Sequence, residues 1–331
     1  MKHKILRIVL GIFIFILAVE AFLFVIRFPI KIDEPHSYMS KADFIRMQYI
    51  EIYNNFFTLE NEYYVIRRNS VMPWPTHYGK TIDRQKREGV KRVFIVGESL
   101  AYFYPIEILL NNLELFVPDK KFEVINAGAG GIDIYRIRFI VQEIVDNHEP
   151  DFLIILFGNN NFIFNPPFIN RLPHKYRIFR TSRILNALSR ILIPAFDSDH
   201  QTFADLNAKK IINHIDGRIP TVFVTLVNAG EAGWVPINEN SILVDAASND
   251  FIRTLPKQYY NVFVADFAKT VMSFNVHAVD ILRTWCHLWD PTYDIVSRLV
   301  INEFFNKSIP IDKNYIEHVL EKNRIFKQYH N

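Results

Sequence analysis

The chain has 331 residues, of which 50% are hydrophobic and 22% are charged, and its formal net charge is +3. This hydrophobic content excludes a disordered chain and suffices for one large domain with accessory segments. The small net charge gives no indication of nucleic-acid binding. Cys286 is the single cysteine, so the sequence excludes an internal disulfide and a cysteine-based zinc site, and we expect neither a metal nor a cofactor.

The N-terminal part of the chain is an apolar run over residues 5–26, which follows the basic residues Lys2 and Lys4 and contains Arg7. About twenty apolar residues are enough for a helix that crosses a bilayer. The basic flank favours a cytoplasmic N-terminus, which puts the rest of the chain in the periplasm or outside the cell. A cleaved signal peptide is the alternative, but this run is longer than the apolar part of such peptides. We therefore expect an uncleaved signal anchor over residues 1–27, as a single-pass helix in the inner (cytoplasmic) membrane.

Residues 28–90 are predicted to form a juxtamembrane connector. Residues 43–53 have helical periodicity, and Pro73-Trp74-Pro75 marks a turn. Residues 80–92 are densely charged, which is typical of a solvated linker or an exposed helix face. We expect the globular domain to begin near residue 91 and to extend over residues 91–331.

Apolar, mostly β-branched runs recur through this domain and are separated by helical patterns. Five of them are predicted to be buried strands, over residues 93–96, 122–125, 152–157, 221–227 and 262–267. Between the second and the third, the apolar residues of 132–147 fall on one helical face. Strands that alternate with helices indicate a parallel sheet covered on both sides. The sequence therefore predicts an α/β fold, a three-layer α/β/α sandwich around a doubly wound, flavodoxin-like sheet.

Residues 166–208 interrupt this alternation of strands and helices and differ from the rest of the domain in composition. Basic and apolar residues alternate there as in one or two amphipathic helices. Such a helix can lie on a membrane surface or cover an anionic substrate. We prefer the simpler interpretation, a basic helical insertion that packs by its apolar face and leaves its basic face solvated.

Ser99 lies where the first predicted strand stops at Gly97 and before a helical pattern that resumes near Pro105. Open α/β sheets have their active sites at the carboxyl ends of the strands. A hydroxyl at this position lies near helical N–H groups that can stabilise an anion. Ser99 is therefore a candidate nucleophile, although taken alone it is more simply a helix-capping serine.

Three further polar stretches follow a strand or precede a helix, namely residues 126–133, 158–161 and 286–288. Because the carboxyl ends of neighbouring parallel strands meet at one edge of a sheet, we expect Ser99, Gly131, Asn160 and His287 to meet there. His287 is suited to act as the base that a serine nucleophile needs. The backbone N–H groups of Ser99 and Gly131 and the side-chain amide of Asn160 are suited to bind an oxyanion.

These stretches resemble, in order, the four sequence blocks of the SGNH (GDSL-like) hydrolase family. Gly97-Glu98-Ser99 resembles the first block, and Gly131 matches the glycine of the second. Gly158-Asn159-Asn160-Asn161 is similar to the third block, with Asn160 in the oxyanion position, and Cys286-His287-Leu288 resembles the block with the catalytic histidine.

The resemblance covers about residues 91–306 and looks closest to a membrane-anchored bacterial subgroup. It implies the SGNH hydrolase fold and ester hydrolysis or acyl transfer, usually on lipids or O-acylated sugars.

The chain departs from the family three residues before the histidine, where the family has an aspartate and this sequence has Thr284. A threonine cannot carry the charge that stabilises an imidazolium. Asp290, Asp280 and Asp294 are nearby substitutes, of which Asp290 is our candidate for the orienting acid. A serine–histidine dyad, oriented by a backbone carbonyl, is the other possibility.

A second alignment matches Asp290-Pro291-Thr292 with the family's usual His-Pro-Thr and puts His287 at the aspartate position. The acid and the base would then be exchanged, and catalysis would be lost. We prefer the first alignment, because Cys286-His287-Leu288 fits it and Thr292-Tyr293 then falls, imperfectly, on a conserved pair of the family.

The sequence thus predicts a membrane-anchored, outward-facing serine esterase or acyltransferase that acts on acyl groups of cell-envelope glycans or lipids. Ser99 is the predicted nucleophile, His287 the base, and Gly131 and Asn160 the oxyanion donors. The alternative, which the missing aspartate supports, is a degenerate SGNH domain that binds a glycan or a protein without chemistry. We expect membrane contact through residues 5–26 and no nucleic-acid partner.

Overall fold

A computed structural model of the chain describes residues 11, 15, 17–22, 56–66, 81–130, 132–159, 184, 200–229, 237–238, 240–246, 248–284 and 286–330. The chain divides into two compact units, one formed by Met1–Glu51 with Pro166–Asp199 and the other by Ile52–Asn165 with His200–Asn331. The second unit contains all the strands and helices named below. The helix predicted over residues 43–53 lies outside the described residues.

The described strands are β1 Phe57–Glu60, β2 Tyr63–Ile66, β3 Thr81–Asp83, β4 Val90–Gly97, β5 Lys121–Gly128, β6 Phe152–Leu156, β7 Thr221–Val224, β8 Val227–Asn228, β9 Val244–Asp245 and β10 Val262–Ala265. The described helices are α1 Ser99–Tyr102, α2 Ile106–Phe116, α3 Ile134–Asn147, α4 His200–Ile215, α5 Asn249–Thr254, α6 Phe267–Ser273, α7 Ala278–Ile281, α8 Tyr293–Phe305 and α9 Lys313–His330.

A parallel sheet with the spatial order β5-β4-β6-β7-β10 forms the centre of the second unit. Counted along the chain, this order is 2-1-3-4-5, which is the flavodoxin-like order of a doubly wound sheet. The five predicted apolar runs are these five strands, and the helix predicted over residues 132–147 is α3. The α/β prediction with a parallel sheet is confirmed.

The side chains of β4 alternate between two hydrophobic cores on opposite faces of the sheet. Val93 and Ile95 pack in the core that contains α1, α2 and α8. Phe94 and Val96 pack in the core that contains α3 and α4. A central strand buried on both faces has no polar face to expose, which explains its uninterrupted apolar run. Helices therefore cover both faces of the sheet.

Residues 56–66 and 81–90, which we predicted to be part of a connector, belong to the second unit and contain strands there. β1, β2 and β3 form an antiparallel sheet, and Phe57 and Ile66 are buried in the core that contains α3. The carboxylate of Glu143 in α3 accepts hydrogen bonds from the backbone N–H groups of Phe56 at 3.2 Å and Phe57 at 3.1 Å. The strands are short and of mixed composition, so no apolar run marked them in the sequence.

Arg92 ends the charged segment that we predicted to be solvated, yet its side chain is completely buried in β4. Its Nε donates to Glu123 Oε2 at 2.7 Å, its Nη1 to the carbonyl oxygen of His148 at 3.0 Å, and its Nη2 to that of Asp83 at 3.0 Å. The guanidinium offers these donors in a rigid fork, which a lysine lacks. Arg92 thereby ties the central sheet to β3 and to the end of α3.

The ring of His148, just after α3, is enclosed by aromatic side chains of the N-terminal sheet. Its centroid lies 4.2 Å from that of Phe57 and 4.2 Å from that of Tyr64. Neither ring nitrogen has a hydrogen-bond partner among the described residues. Burial, with a smaller contribution from Arg92, lowers the pKa of His148 to about 4. At neutral pH the ring is therefore uncharged and packs as an apolar aromatic group.

In the first unit, the described residues of the N-terminal run are 11, 15 and 17–22, and all are helical. The backbone N–H of Ile184 donates to Glu20 Oε2 at 3.0 Å, so the predicted insertion contacts the N-terminal run within this unit. No helix within the described ranges has the length and apolarity needed to cross a membrane. Most of residues 5–26 and of residues 166–208 lies outside those ranges, so the signal anchor and the amphipathic insertion stay predictions.

Replacement of Arg92 by methionine should lower the free energy of unfolding by about 3–5 kcal/mol, because it leaves Glu123 and two carbonyl groups without their buried partner. Urea unfolding followed by tryptophan fluorescence measures this change. The control is Arg324→Met, which removes an exposed ion pair with Glu321 and should cost less than about 1 kcal/mol. Equal effects of the two substitutions would contradict the role assigned to Arg92.

Candidate active site

The short helix α1, which begins with Ser99, lies directly against the ends of two strands. A Cβ atom added to Gly97 at the end of β4 would overlap the carbonyl oxygen of Leu156. A Cβ atom added to Gly128 at the end of β5 would overlap the backbone of α1. Glycine at both positions permits this approach. Ser99 therefore lies at the carboxyl edge of the sheet, at the strand-to-helix junction that the sequence predicted.

Hydrogen bonds from two sides hold the backbone of α1 in place. The Nδ2 of Asn126, near the end of β5, donates to the carbonyl oxygens of Ala101 at 2.7 Å and Tyr104 at 3.0 Å. The buried hydroxyl of Tyr293, the first residue of α8, donates to the carbonyl oxygen of Leu100 at 2.8 Å. These bonds satisfy carbonyl groups at the end of a four-residue helix, which has few internal partners.

The residue before the candidate nucleophile, Glu98, is completely buried. Its Oε1 accepts a hydrogen bond from the backbone N–H of Asn159 at 2.8 Å. The backbone N–H of Glu98 donates to the carbonyl oxygen of Leu156 at 3.1 Å. The side chain of Asn159 is also buried, and its Oδ1 accepts from Asn228 at 3.5 Å. Its Nδ2 has no hydrogen-bond partner in the part of the chain that the structure describes. This amide is a spare donor next to the strand end that carries Ser99.

The thiol of Cys286 lies against Ser99. The hydroxyl groups of Ser99 and Thr284 lie close enough to its sulfur to affect the pKa of the thiol. Burial raises the pKa of the thiol well above its ordinary value, the Glu98 carboxylate adds to this effect, and the two hydroxyls oppose it. Cys286 is therefore a neutral thiol at physiological pH, through which the loop that precedes α8 contacts the candidate nucleophile.

The ring of His287 is half-buried beside α1. Its Nδ1 lies 2.8 Å from Thr284 Oγ1, and its centroid lies 4.9 Å from that of Phe103, the residue directly after α1. Burial, and after it the guanidinium of Arg283, lowers the pKa of His287 to about 4. The ring is therefore neutral at pH 7, which is the form that a general base needs.

In the structure, the residue of the 284–287 loop that lies next to Ser99 is Cys286. Within the described residues, no hydrogen bond joins the Ser99 hydroxyl to the His287 ring, so their direct pairing stays a prediction. The predicted oxyanion donors Gly131 and Asn160 lie outside the described residues. Their roles also stay predictions.

Asp290, our candidate for the orienting acid, follows His287 by three residues in the chain. It begins a 3₁₀ turn over Asp290–Thr292, and its charge adds to the burial that raises the pKa of Tyr293. The group at His287 Nδ1 is the Thr284 hydroxyl. Thr284 thus takes the place that our first alignment compared with the family's aspartate, and the role of Asp290 as the group that orients the ring stays a prediction.

Sequence reasoning missed Cys286, Asn126 and Tyr293 as contacts of the site. The spacing of three residues between Thr284 and His287 was visible, but a hydroxyl was not considered as the orienting group. The contacts of Asn126 and Tyr293 with α1 join residues far apart in the chain, so no local pattern predicts them.

No protein-family model matches the chain, and no curated protein matches it. Several solved structures are similar to it. An α/β hydrolase enzyme, LAE5, from the metagenome of Lake Arreo, Spain, has 10% sequence identity and a TM-score of 0.44, over 64% of this chain and 93% of that chain. A member of the lipolytic protein G-D-S-L family from Veillonella parvula has 10% identity and a TM-score of 0.43, over 66% of this chain and 100% of that chain. The acetylxylan esterase Axe2 from Geobacillus stearothermophilus has 11% identity and a TM-score of 0.43, over 64% of this chain and 93% of that chain.

Replacement of Gly128 by alanine should displace α1, because the added methyl group overlaps the backbone of that helix. We expect the labelling rate of Ser99 by a fluorophosphonate to fall by about 10²-fold, as a small displacement of a reacting group can do. Gly11→Ala is the control, since nothing lies within 4 Å of a Cβ atom at that position. A folded Gly128→Ala protein labelled as fast as the unchanged chain would contradict the constraint.

Proposed function

We propose that this chain is a membrane-anchored serine esterase or acyltransferase of the SGNH type, with Ser99 as the nucleophile and His287 as the general base. The contact between Ser99 and the 284–287 loop at the carboxyl end of β4 carries the proposal. The thiol of Cys286 lies close enough to the Ser99 hydroxyl for that hydroxyl to affect its pKa, and the ring of the next residue, His287, packs against Phe103 directly after α1. These contacts support a site in which a hydroxyl and a neutral imidazole from distant parts of the chain meet at one strand end, which is the arrangement that acyl transfer uses.

The proposed reaction has two steps. Ser99 Oγ attacks the ester carbonyl while its proton passes to His287 Nε2, and the imidazolium then gives this proton to the leaving alcohol oxygen. Water, or an acceptor hydroxyl in an acyltransferase, attacks the acyl-enzyme by the same route and regenerates Ser99. The proposed oxyanion donors are the backbone N–H groups of Ser99 and Gly131 and the side chain of Asn160.

The proposed location rests on the sequence. The apolar run over residues 5–26 and its basic flank favour an inner-membrane anchor with the domain on the outer side. A domain in this position meets O-acylated glycans and lipids of the cell envelope, and we propose ester-linked acyl groups of these molecules as substrates. The substrate class thus depends on the anchor and on the resemblance of the sequence motifs to the SGNH family.

A second function, binding of a glycan or a protein without catalysis, is favoured by one observation. The group at His287 Nδ1 is the uncharged hydroxyl of Thr284, and a serine–histidine pair without a carboxylate lacks the charge that stabilises an imidazolium. In that case the Ser99 hydroxyl would be no more reactive than an ordinary serine.

Hydrolysis of p-nitrophenyl acetate by the full chain in detergent separates the two functions. The Ser99→Ala variant should lose at least about 10³-fold in kcat/KM, because it removes the nucleophile. Ser273→Ala is a matched control, since this exposed serine in α6 donates only to the carbonyl oxygen of Thr270 and should leave the rate unchanged. Equal rates for the unchanged chain and Ser99→Ala would exclude the esterase and leave the binding function.

The pH dependence of the reaction should reflect the lowered pKa of His287. A base must be neutral, and burial together with Arg283 lowers the pKa of this imidazole from 6.5 to about 4. The activity should therefore persist as the pH falls through 6.5 and decline only near pH 4. The measurement is kcat/KM from pH 3.5 to 8, with each sample assayed again at pH 7 to exclude acid unfolding. A decline centred near pH 6.5 would contradict this assignment.

A further inference from the structure

Arg283 and His287 lie opposite each other in a short hairpin that precedes α8. The backbone N–H of Arg283 donates to the carbonyl oxygen of His287 at 2.6 Å. Leu282 and Leu288, one residue further from the turn, form an isolated antiparallel bridge. The two segments on either side of the turn therefore pair as in an antiparallel ladder, and we call them the 282–288 hairpin.

The two faces of the 282–288 hairpin differ in burial. Successive side chains of an extended segment point to opposite faces. Leu282 and Leu288 are 1% and 3% exposed and pack in the core that contains α1, α2 and α8. Arg283 and His287 therefore share the other face, as directly opposite residues whose side chains can reach each other. Arg283 is exposed on this face, and the ring of His287 packs there against Phe103.

The guanidinium of Arg283 forms no ion pair in the part of the chain that the structure describes. The arginines that do form ion pairs there are Arg87, Arg92, Arg136, Arg253 and Arg324. Two carboxylates belong to the neighbouring segments, those of Glu98 before α1 and Asp290 after the hairpin, and neither pairs with Arg283. Among the described residues, the positive charge beside His287 is therefore not neutralised by a carboxylate.

The proposed reaction defines which part of a substrate meets this charge. His287 Nε2 gives its proton to the oxygen of the leaving alcohol, so the alcohol part of the ester must lie within hydrogen-bond reach of the ring. The acyl part is bound to Ser99 and lies on the other side of the bond that breaks. Arg283, opposite His287 in the hairpin, is therefore next to the alcohol part.

We propose that Arg283 binds an anionic group, a carboxylate or a phosphate, on the alcohol part of the substrate. The substrates are then acyl esters of acidic glycans or of phosphate-bearing alcohols rather than of neutral sugars. A guanidinium presents a planar fork of donors that matches either anion with two hydrogen bonds. This inference rests on the proposed function, because it names the substrate class of that same site.

The charge of Arg283 also favours an anionic ester over a neutral one during the reaction. After the larger effect of burial, Arg283 lowers the pKa of His287, so it opposes the imidazolium that forms when Ser99 loses its proton. The other side chains in contact with the ring, Thr284 and Phe103, are uncharged and do not compensate. An anion bound at Arg283 offsets the positive charge while the ring gains its own, and a neutral ester supplies no such charge.

Kinetics with two esters of similar shape tests the proposal. The anion p-acetoxybenzoate has a carboxylate on its alcohol part, and methyl p-acetoxybenzoate is the neutral counterpart. For the full chain in detergent at pH 8, Arg283→Gln should lower kcat/KM for the anionic ester about 10-fold and change that for the methyl ester by less than about 2-fold. Arg283→Lys, which keeps the charge, should retain most of the rate with the anionic ester.

Arg84→Gln is the matched control for this experiment. Arg84 is also exposed, and it lies before the amino end of β4, whereas Ser99 follows the carboxyl end of that strand. The same loss of one positive charge should there leave both rates unchanged. An unchanged rate of Arg283→Gln with the anionic ester, or an equal loss with both esters, would overturn the proposal.

Binding without catalysis gives the second readout. Nitrogen-15 NMR of the histidine-labelled full chain in detergent follows the ring of His287, whose signals are assigned by their loss in His287→Asn. Glucuronate and glycerol phosphate are the anionic probes, and glucose is the neutral one. We expect a saturable shift with at least one anion, none with glucose, and loss of the shift in Arg283→Gln. A response to one anion alone identifies the carboxylate or the phosphate as the group that is bound. No response to either anion, or the same response in Arg283→Gln, would overturn the proposal.

The two readouts distinguish failure of this inference from failure of the proposed function. If the unchanged chain hydrolyses neither ester faster than Ser99→Ala, the proposed function fails, while the NMR result still decides whether Arg283 binds an anion. If the chain is active and Arg283→Gln slows both esters equally, the anion site fails and the esterase remains.

Discussion

The close approach of α1 to the strand ends is the constraint on which the site depends. Gly128 leaves room for the backbone of this helix and Gly97 for the side chain of Ala101, and Asn126 and Tyr293 fix the helix there by hydrogen bonds to its carbonyl groups. Ser99 gains its position from this packing, because a helix of four residues has too few internal hydrogen bonds to be stable alone. The position of Ser99 thus depends on packing in the core. Most of the residues that fix this position lie away from the reacting groups.

The central sheet was predictable from the sequence because its strands are buried on both faces and therefore appear as uninterrupted apolar runs. Helix α3 was predictable from the apolar residues that fall on one of its faces. The N-terminal sheet was not, since its strands are short and are held by long-range contacts such as those of Glu143 and Arg92. A charged segment was taken as solvated because the partner of Arg92, Glu123, lies on another strand.

Within the site, the sequence motifs did not predict the side-chain contacts that the structure describes. The sequence indicated that Thr284 lacks the charge of an aspartate, and from this it favoured a substitute carboxylate at Asp290. The structure instead has the Thr284 hydroxyl itself at Nδ1. A carboxylate there would raise the pKa of His287, whereas burial beside Arg283 lowers it to about 4. The imidazole is consequently a weak base that stays neutral over a wide pH range.

The contacts of Phe56 and Phe57 determine where a force applied to the start of the N-terminal sheet would act on the domain. A force on Phe56 and Phe57 acts on the Glu143 carboxylate, which accepts hydrogen bonds from both backbone N–H groups, and on the ring of His148, which packs against that of Phe57. These anchoring points belong to the core beneath α3, on the opposite face of the sheet from the core that contains α1 and α8. Such a force would therefore act first on the face of the sheet opposite the core that contains α1.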